Sequence, residues 1–492
     1  MATNSLPARG SSGWSISQPA TKSGLTISAG TRKRLLLFVD LLIANAVLLA
    51  SVVLWNEFSP SVDALVAHAK WFVTLSALWL AYAVILDVYN LARAAHTASI
   101  IAAAGVAGLL ATLTYLAIPW LTPAVLRRTY AAALVIGTTG LILAWRVLYA
   151  EVLVQPTFRQ RGIVFGGNTS AFELAHAIQQ AGRGDQTNPF GGTGYQIVGL
   201  VADAQTMTDD ERIPLLGDGR TLVRLARQYG VDEIILAVDD ERDLSDEARE
   251  VLLDSRELGL RITSLVELYE RLTGQLPVEY AHSNLNLLLS PSNKPSTRLY
   301  QTTKRLLDIF MALVGLSLLG VVLPFIALAN ALSSPGPLFY RQERVGLGGK
   351  PFAIWKLRSM VPDAEWCVGA VWCGDEDPRI TPIGRFIRKT RLDELPQFLN
   401  VLRGEMSAIG PRPERPYFVG QLAKAMPIYR ARNSVKPGIT GWAQVHYEYG
   451  NSVEDARIKL KYDLYYVKHA SLFLDFLVLL HTVRVVIGAK GQ

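Results

Sequence analysis

Lys304-Arg305-Leu306-Leu307-Asp308 opens the stretch KRLLDIFMALVGLSLLGVVLPFIALANAL, residues 304–332, which runs into Ser333-Ser334-Pro335-Gly336-Pro337. After its opening charges the stretch is apolar and longer than the roughly 20 residues a helix needs to cross a bilayer. Pro324 stands inside it, where proline removes a backbone hydrogen bond and bends the axis. Two placements follow: a kinked span, or a re-entrant helix that enters lipid and returns to the face it came from. Periodicity alone does not choose between them.

Four earlier segments, about 35–56, 71–90, 99–121 and 130–150, are also long and apolar enough to cross a bilayer. An even number returns the chain to its starting side. Arg32, Lys33, Arg34, Arg93, Arg159 and Arg161 flank the predicted inner ends and place both the N-terminus and everything after residue 150 in the cytoplasm. Arg127 and Arg128, at the predicted outer end of the fourth segment, argue the other way. The reading is a four-helix transmembrane domain over residues 31–155, preceded by a disordered tail, residues 1–30, rich in Ser, Gly, Thr and Ala. The tail is not a signal peptide, because the first apolar stretch follows Arg32-Lys33-Arg34 and has the length of a retained helix.

Composition agrees with a membrane protein. Of 492 residues, 50% are hydrophobic and 18% charged, and mean hydropathy is +0.23. The net charge of +7 suits an anionic membrane surface or phosphate-bearing substrates, and beside such apolar runs no nucleic-acid partner is expected. The two cysteines, Cys367 and Cys373, lack further zinc ligands nearby and read as reduced cytoplasmic thiols.

Residues 160–270 change character. Short β-rich runs at residues 162–165, 196–201 and 233–238 alternate with helical patterns such as residues 171–180, which predicts a Rossmann-like α/β lobe with a parallel sheet. The first strand ends in Gly166-Gly167-Asn168-Thr169-Ser170, where a dinucleotide fold carries its phosphate turn. The G-x-G-x-x-G spacing is not met and the next acid, Asp203, lies too far off, so the lobe is expected to bind no dinucleotide. A linker holding Pro291 and Pro295 follows, and residues 300–492 form the last domain.

Chemistry concentrates after residue 338. Lys356-Leu357-Arg358-Ser359-Met360 puts two cations on one edge if the segment is extended, a natural contact for phosphate. Arg388-Lys389-Thr390-Arg391-Leu392-Asp393-Glu394-Leu395-Pro396-Gln397 is more specific. Pro396 is pre-set for a first helical turn and places Asp393 and Glu394 at or just before a helix N-terminus, where carboxylates stay ionised. One of the pair can attack as a nucleophile while the other holds a hard cation such as Mg2+; acid capping of a helix is the plainer alternative. Gly410-Pro411-Arg412-Pro413 holds a guanidinium in a rigid turn, and Lys436-Pro437-Gly438-Ile439-Thr440-Gly441-Trp442 repeats the theme. Four basic turns around one acid pair resemble a polyanion site.

Together with Lys304 to Asp308, these motifs resemble the bacterial sugar transferases of the monotopic phosphoglycosyl transferase superfamily, over about residues 300–490. The four-helix front with a Rossmann-like lobe resembles the large undecaprenyl-phosphate hexose-phosphate transferase branch. Tyr447-Glu448-Tyr449-Gly450 and Val453-Glu454-Asp455-Ala456 resemble its exopolysaccharide-associated members. The resemblance implies a C-terminal α/β catalytic domain in which Asp393 attacks the phosphate bearing the sugar of a UDP-sugar, releasing UMP. Undecaprenyl phosphate then attacks the covalent phosphosugar intermediate. It further implies Glu394, with Asp393, as the Mg2+ site. Lys356, Arg358, Arg388 and Arg412 would be phosphate-binding cations, and Arg305, Asp308 and Pro324 lipid-phosphate or membrane-positioning residues.

UDP-sugars are cytosolic, so a fifth full crossing would strand Asp393 outside. A re-entrant helix at residues 304–332 is therefore expected, in a multi-pass protein of the bacterial inner membrane with its catalytic domain on the cytoplasmic side. Glucose is the first expectation for the sugar, and His446-Tyr447-Glu448-Tyr449-Gly450 departs from the Asn-Gly-Arg-type turn of many relatives. A homodimer and polysaccharide-assembly proteins are carried as further partners. The rivals are a membrane scaffold or nucleotide sensor regulating polysaccharide export, which has no need of Asp393-Glu394 among phosphate-binding turns, and a multispan transferase acting without a covalent intermediate.

Overall fold

The protein is described by a computed structural model that covers residues 29–55, 60–89, 97–123, 128–149, 151, 160–166, 178, 195–202, 215–238, 244–278, 298–361, 377–447 and 452–487. The tail at residues 1–28, Arg93, Arg127, Arg159, the turn at residues 167–170, Asp203, Pro291, Pro295, Cys367, Cys373 and residues 448–450 lie outside the described residues. So does the expected helix 171–180 apart from Ile178. The chain divides into two compact units, Met1–Thr273 and Gly274–Gln492.

In the first unit the four apolar stretches form helices α1 (Ala29–Trp55), α3 (Ala69–Ile85), α4 (Thr97–Leu116) and α5 (Arg128–Leu148), with a short α2 (Val62–Ala67) between. By length and composition, α1 and α5 are long and apolar enough to cross a membrane, while α3 and the apolar part of α4 are shorter. Polar residues tie the helices together inside the bundle. Arg146 on α5 is ion-paired with Asp40 on α1, both fully buried, and Tyr89 Oη donates to Asp40 Oδ2 at 3.1 Å. Asn45 Nδ2 on α1 donates to Ser76 Oγ on α3 at 2.9 Å. An apolar pattern does not display such pairs, which fix helix against helix where water cannot compete.

The rest of this unit is a five-stranded parallel sheet of β1 (Gln160–Phe165), β2 (Tyr195–Ala202), β3 (Leu215–Asp218), β4 (Glu233–Leu236) and β5 (Arg261–Ser264), in the order β3-β2-β1-β4-β5. That is the strand order of a Rossmann-type sheet. Helices α6 (Leu222–Tyr229), α7 (Asp246–Glu257) and α8 (Leu265–Thr273) accompany it. Gly166 ends β1 at φ +127°, and a Cβ there would lie 2.3 Å from the Ala237 carbonyl oxygen, so only glycine fits.

Glu233, fully buried at the start of β4, is the polar centre of the lobe. Its carboxylate accepts from Gln160 Nε2 at 2.9 Å, Tyr195 Oη at 3.0 Å, Thr263 Oγ1 at 2.5 Å and Arg271 Nη2 at 2.8 Å on each oxygen. It thereby joins β1, β2, β4, β5 and α8. Burial, reinforced by Glu233, pushes the Tyr195 phenol well above its ordinary range. Glu233→Ala leaves these donors facing a void and is expected to cost the lobe about 3–5 kcal/mol. Hydrogen exchange at the β1 and β4 amides should then quicken by roughly 100-fold or more; unchanged protection would contradict the assignment.

The second unit is organised by α9 (Arg298–Ser333), one 36-residue helix that continues through Pro324. At 1.5 Å per residue it is roughly 54 Å long. One face packs inward through Asp308, Ala312, Gly315, Leu319, Ile326 and Asn330. Phe398 presses so close to Gly315 that a Cβ would sit 2.2 Å from its ring. The other face is a mostly apolar stripe, interrupted by the exposed Ser317. Leu306, Phe310, Val321, Phe325 and Leu332 are 63%, 64%, 67%, 72% and 80% exposed, at the spacing of one helix face.

Against the inner face of α9 lie the antiparallel hairpin β6 (Phe339–Val345) and β7 (Pro351–Leu357), α10 (Pro382–Lys389), a 3-10 turn (Leu392–Gln397), α11 (Phe398–Arg403) and β8 (Ser407–Ile409). Next come α12 (Pro416–Ala425), a second 3-10 turn (Pro427–Ser434) and β9 (Gly438–Thr440), which pairs in parallel with β8. The unit ends with α13 (Trp442–His446), α14 (Val453–His469) and α15 (Leu472–Ile487). Leu392 and Leu395 pack against the cluster that holds Leu319 and Ile326 of α9.

Candidate active site

Asp393 and Glu394 arrive on a short, strained connection. α10 ends at Lys389, and Arg391 takes left-handed backbone at φ 56°, which costs a residue with a side chain roughly 1–2 kcal/mol. The 3-10 turn starts there, with both acids in its first turn and Pro396 inside it. The expected helix start is thus a 3-10 turn leading into α11. Both acids are buried, at 7% exposure each.

Around them stand cations from four directions. Arg412 Nη2 donates to Glu394 Oε1 at 2.7 Å, Lys356 Nζ to the same oxygen at 3.3 Å, and Arg391 Nη1 lies 3.7 Å from Oε2. Lys356 also lies 4.0 Å from Asp393 Oδ2, and Arg388 adds its field at Asp393. Among the described residues the Asp393 carboxylate accepts no side-chain hydrogen bond. The neighbours therefore push the two acids apart. Burial raises the Asp393 carboxyl to about 6, with Lys356 opposing and the Glu394 charge adding to the rise. Burial resists ionisation of Glu394 too, but Arg412, Lys356 and Arg391 outweigh it and hold that carboxyl well below its ordinary range.

Arg412 owes its direction to a turn whose carbonyls are all engaged. Pro411 O accepts from Gly438 N at 2.9 Å, Arg412 O from Arg432 Nη2 at 2.8 Å, Pro413 O from Arg344 Nη1 at 3.1 Å and Glu414 O from Val345 N at 2.9 Å. Arg432 is itself buried, ion-paired with Asp463 at 2.7 Å and bonded to Tyr429 Oη at 2.8 Å. Sequence reading missed Arg432, Asp463 and Arg344, since no local pattern marks partners 20 to 69 residues from the turn. Arg391 was within view, in the quoted motif.

The structure thus brings Lys356, Arg388 and Arg412 to the acid pair, as the motifs predicted, but not Arg358. β7 ends at Leu357, so the alternation that would put Arg358 on the edge of Lys356 stops one residue short. Arg358 turns instead to the far end of α9, where Nη2 donates to Asn330 Oδ1 at 2.8 Å and to Ser334 O. At the other end, Arg305 caps α11 through Val401 O at 2.6 Å and Leu402 O at 2.7 Å, and Asp308 accepts from Ser407 Oγ at 2.8 Å and Ala408 N at 2.9 Å. Arg305 and Asp308 therefore fasten α9 to the domain.

Among the described residues no group of three or more His, Cys, Asp or Glu could hold a metal. The chemistry of the acid pair nevertheless fits Mg2+, which takes one or two carboxylates and completes its shell with water and substrate phosphates. Among the described residues the Asp393 carboxylate accepts no hydrogen bond, and Glu394 Oε2 has Arg391 at 3.7 Å rather than the hydrogen bond that Oε1 accepts from Arg412.

Residues 299–489 match the family model described as bacterial sugar transferase. A UDP-glucose:undecaprenyl-phosphate glucose-1-phosphate transferase of Xanthomonas campestris pv. campestris is 31% identical over 337 residues, covering 67% of this chain and 67% of the relative. The chain belongs to the bacterial sugar transferase family. This sugar transferase is also 39% identical over 260 residues to a UDP-N-acetylgalactosamine-undecaprenyl-phosphate N-acetylgalactosaminephosphotransferase of Aeromonas hydrophila, covering 53% of the chain but 60% of that relative. It is 42% identical over 192 residues to a UDP-glucose:undecaprenyl-phosphate glucose-1-phosphate transferase of Escherichia coli (strain K12), covering 38% of the chain and 41% of the relative. The chain thus spans less than two-thirds of these last two relatives. Every residue of the acid pair and its cations falls inside the span of the family model.

Proposed function

We propose that this sugar transferase moves a sugar 1-phosphate from a UDP-sugar to undecaprenyl phosphate, giving undecaprenyl-diphosphate-sugar and UMP and so initiating exopolysaccharide synthesis. One observation carries the reading. A buried carboxylate that accepts no hydrogen bond among the described residues stands beside a second one held by cations, and those cations suit the oxygens of a phosphate.

Asp393 Oδ attacks the phosphorus that bears the sugar. The bond from that phosphorus to the bridging oxygen breaks, and UMP leaves with the electron pair. The acyl-phosphate so formed is attacked at phosphorus by an oxygen of undecaprenyl phosphate, which returns Asp393 as a carboxylate. Lys356, Arg388 and Arg412 hold the phosphate oxygens in line, and Glu394 fixes Arg412 and Lys356 for that task. Mg2+, proposed to lie at Glu394 and Asp393, would add positive charge where the diphosphate carries negative charge. The names of the relatives divide between glucose and N-acetylgalactosamine, and we favour glucose. UMP release from a panel of UDP-sugars, with undecaprenyl phosphate present, decides it; no release from any of them would refute the function.

The membrane placement rests on α9. Its start is bonded to Val401, Leu402, Ser407 and Ala408, and its end to Arg358, so one domain holds both ends. A helix fastened this way along its inner face does not hand the chain to the opposite side of a bilayer. We place its apolar stripe in the cytoplasmic leaflet of the inner membrane, with Pro324 inside lipid. In a background lacking Cys367 and Cys373, Thr302→Cys, ahead of the stripe, and Ser334→Cys should both be labelled from the cytoplasm. Labelling of the second only from the periplasm would mean a full crossing.

A further inference from the structure

Arg391 stands beside the acid pair, yet neither its motif nor the transfer steps give it a task. Among the described residues only Arg391 and Asp87 combine a side chain with positive φ. Glycine or asparagine would take this backbone more cheaply. Such strain persists where the side chain it presents is needed. Here that side chain reaches Glu394, with Nη1 3.7 Å from Oε2.

The three cations on Glu394 are held unequally. Arg412 Nη2 donates to Oε1 at 2.7 Å and Lys356 Nζ to the same oxygen at 3.3 Å, whereas the 3.7 Å of Arg391 is too long for a hydrogen bond. Oε2 therefore carries the loosest contact, from a side chain that keeps 20% of its surface exposed. Charge points the same way. Lys356, Arg388, Arg391 and Arg412 act on Asp393 and Glu394, four cations against two carboxylates. Glu414, close by, lies 3.7 Å from Arg344 and is offset by it. A surplus of positive charge welcomes a diphosphate and opposes a bare divalent cation.

We propose that Arg391 sets the order of binding at the acid pair. In the free chain it guards Glu394 Oε2 against Mg2+, and it yields that oxygen when the diphosphate of the sugar donor arrives, pairing with a phosphate oxygen instead. A guanidinium is suited to either partner. Glu394 then meets Mg2+ that the diphosphate has brought with it, with one protein cation fewer on its carboxylate. The inference rests on the UDP-sugar reading of the site.

Calorimetry on the detergent-purified full chain tests it, with Mn2+ alone and with UDP in EDTA as separate probes. Arg391→Asn removes the charge and keeps a residue that tolerates left-handed backbone. It should bind Mn2+ about tenfold more tightly than wild type, because a like charge has left the site. It should bind metal-free UDP about tenfold more weakly, having lost one charge-assisted contact. Arg391→Lys should stay within about threefold of wild type for both. Opposite shifts are the signature, since a merely structural loss at the acid pair would weaken both ligands. When Glu394→Gln is added to Arg391→Asn, the gain for Mn2+ should vanish. Equal Mn2+ affinity in wild type and Arg391→Asn, a gain that outlasts Glu394→Gln, or unchanged UDP binding would overturn the handover alone. A wild type that binds no UDP with or without metal would refute the UDP-sugar reading, and the handover with it.

Discussion

Asp393→Asn is expected to lower turnover by on the order of 10^3-fold or more, because the amide keeps the size of the acid but cannot form an acyl-phosphate. The structure makes this substitution a clean one. The Asp393 side chain accepts no hydrogen bond among the described residues, and Glu394 alone carries the contacts to Arg412 and Arg391. The fold should therefore survive, and the loss should report chemistry. With UDP-sugar and Mg2+ but no lipid acceptor, the wild-type chain should gain the mass of one hexose phosphate on a peptide containing Asp393, and the variant should not. Product that forms only when both substrates are present, with no adduct at any time, would establish direct attack and remove Asp393 from its role.

Arg432→Met should be the most damaging change away from the acids. It leaves Asp463 buried and uncompensated, at a cost of about 3–5 kcal/mol. Replacing both partners, as Arg432→Met with Asp463→Leu, should recover most of that stability, since a buried ion pair exchanged for apolar groups is often near neutral. Activity should not return with it. Arg412 O would have lost its donor, and a displacement of about 1 Å in a phosphate-holding guanidinium is worth roughly 100-fold. Thermal midpoint and turnover measured on the same three proteins separate the two effects. A double variant that is both stable and fully active would confine Arg432 to the core.

What could be read from the chain follows the range of the interactions involved. The four apolar runs became helices and the β-rich runs became parallel strands, because both signals lie within a window of ten to twenty residues. Lys356, Arg388, Asp393, Glu394 and Arg412 were legible since each belongs to a short local pattern: Lys356 on a strand, Arg388 on the helix that ends at Lys389, the two acids in the turn before Pro396, and Arg412 between two prolines. Arg358 was misplaced because the alternation rule holds only while a strand lasts. Strands β3 and β5, at 4 residues each, are too short to show a period. Glu233, Arg432 and Asp463 look in sequence like any surface charge, and only long-range packing reveals them as buried.

Leu392 and Leu395, on either side of the acid pair, rest on the cluster formed with Leu319 and Ile326 of α9. On the proposed membrane placement of α9, the height of Asp393 above the lipid would be set by side-chain contact rather than by the reach of a linker. With the outer stripe of α9 in the leaflet as proposed, the proposed nucleophile and polyprenyl acceptor would occupy the same thin layer, and their encounter would become a lateral search in two dimensions. The proposed second step would then answer to the number of acceptor molecules per unit area of membrane, not to any concentration in the bulk.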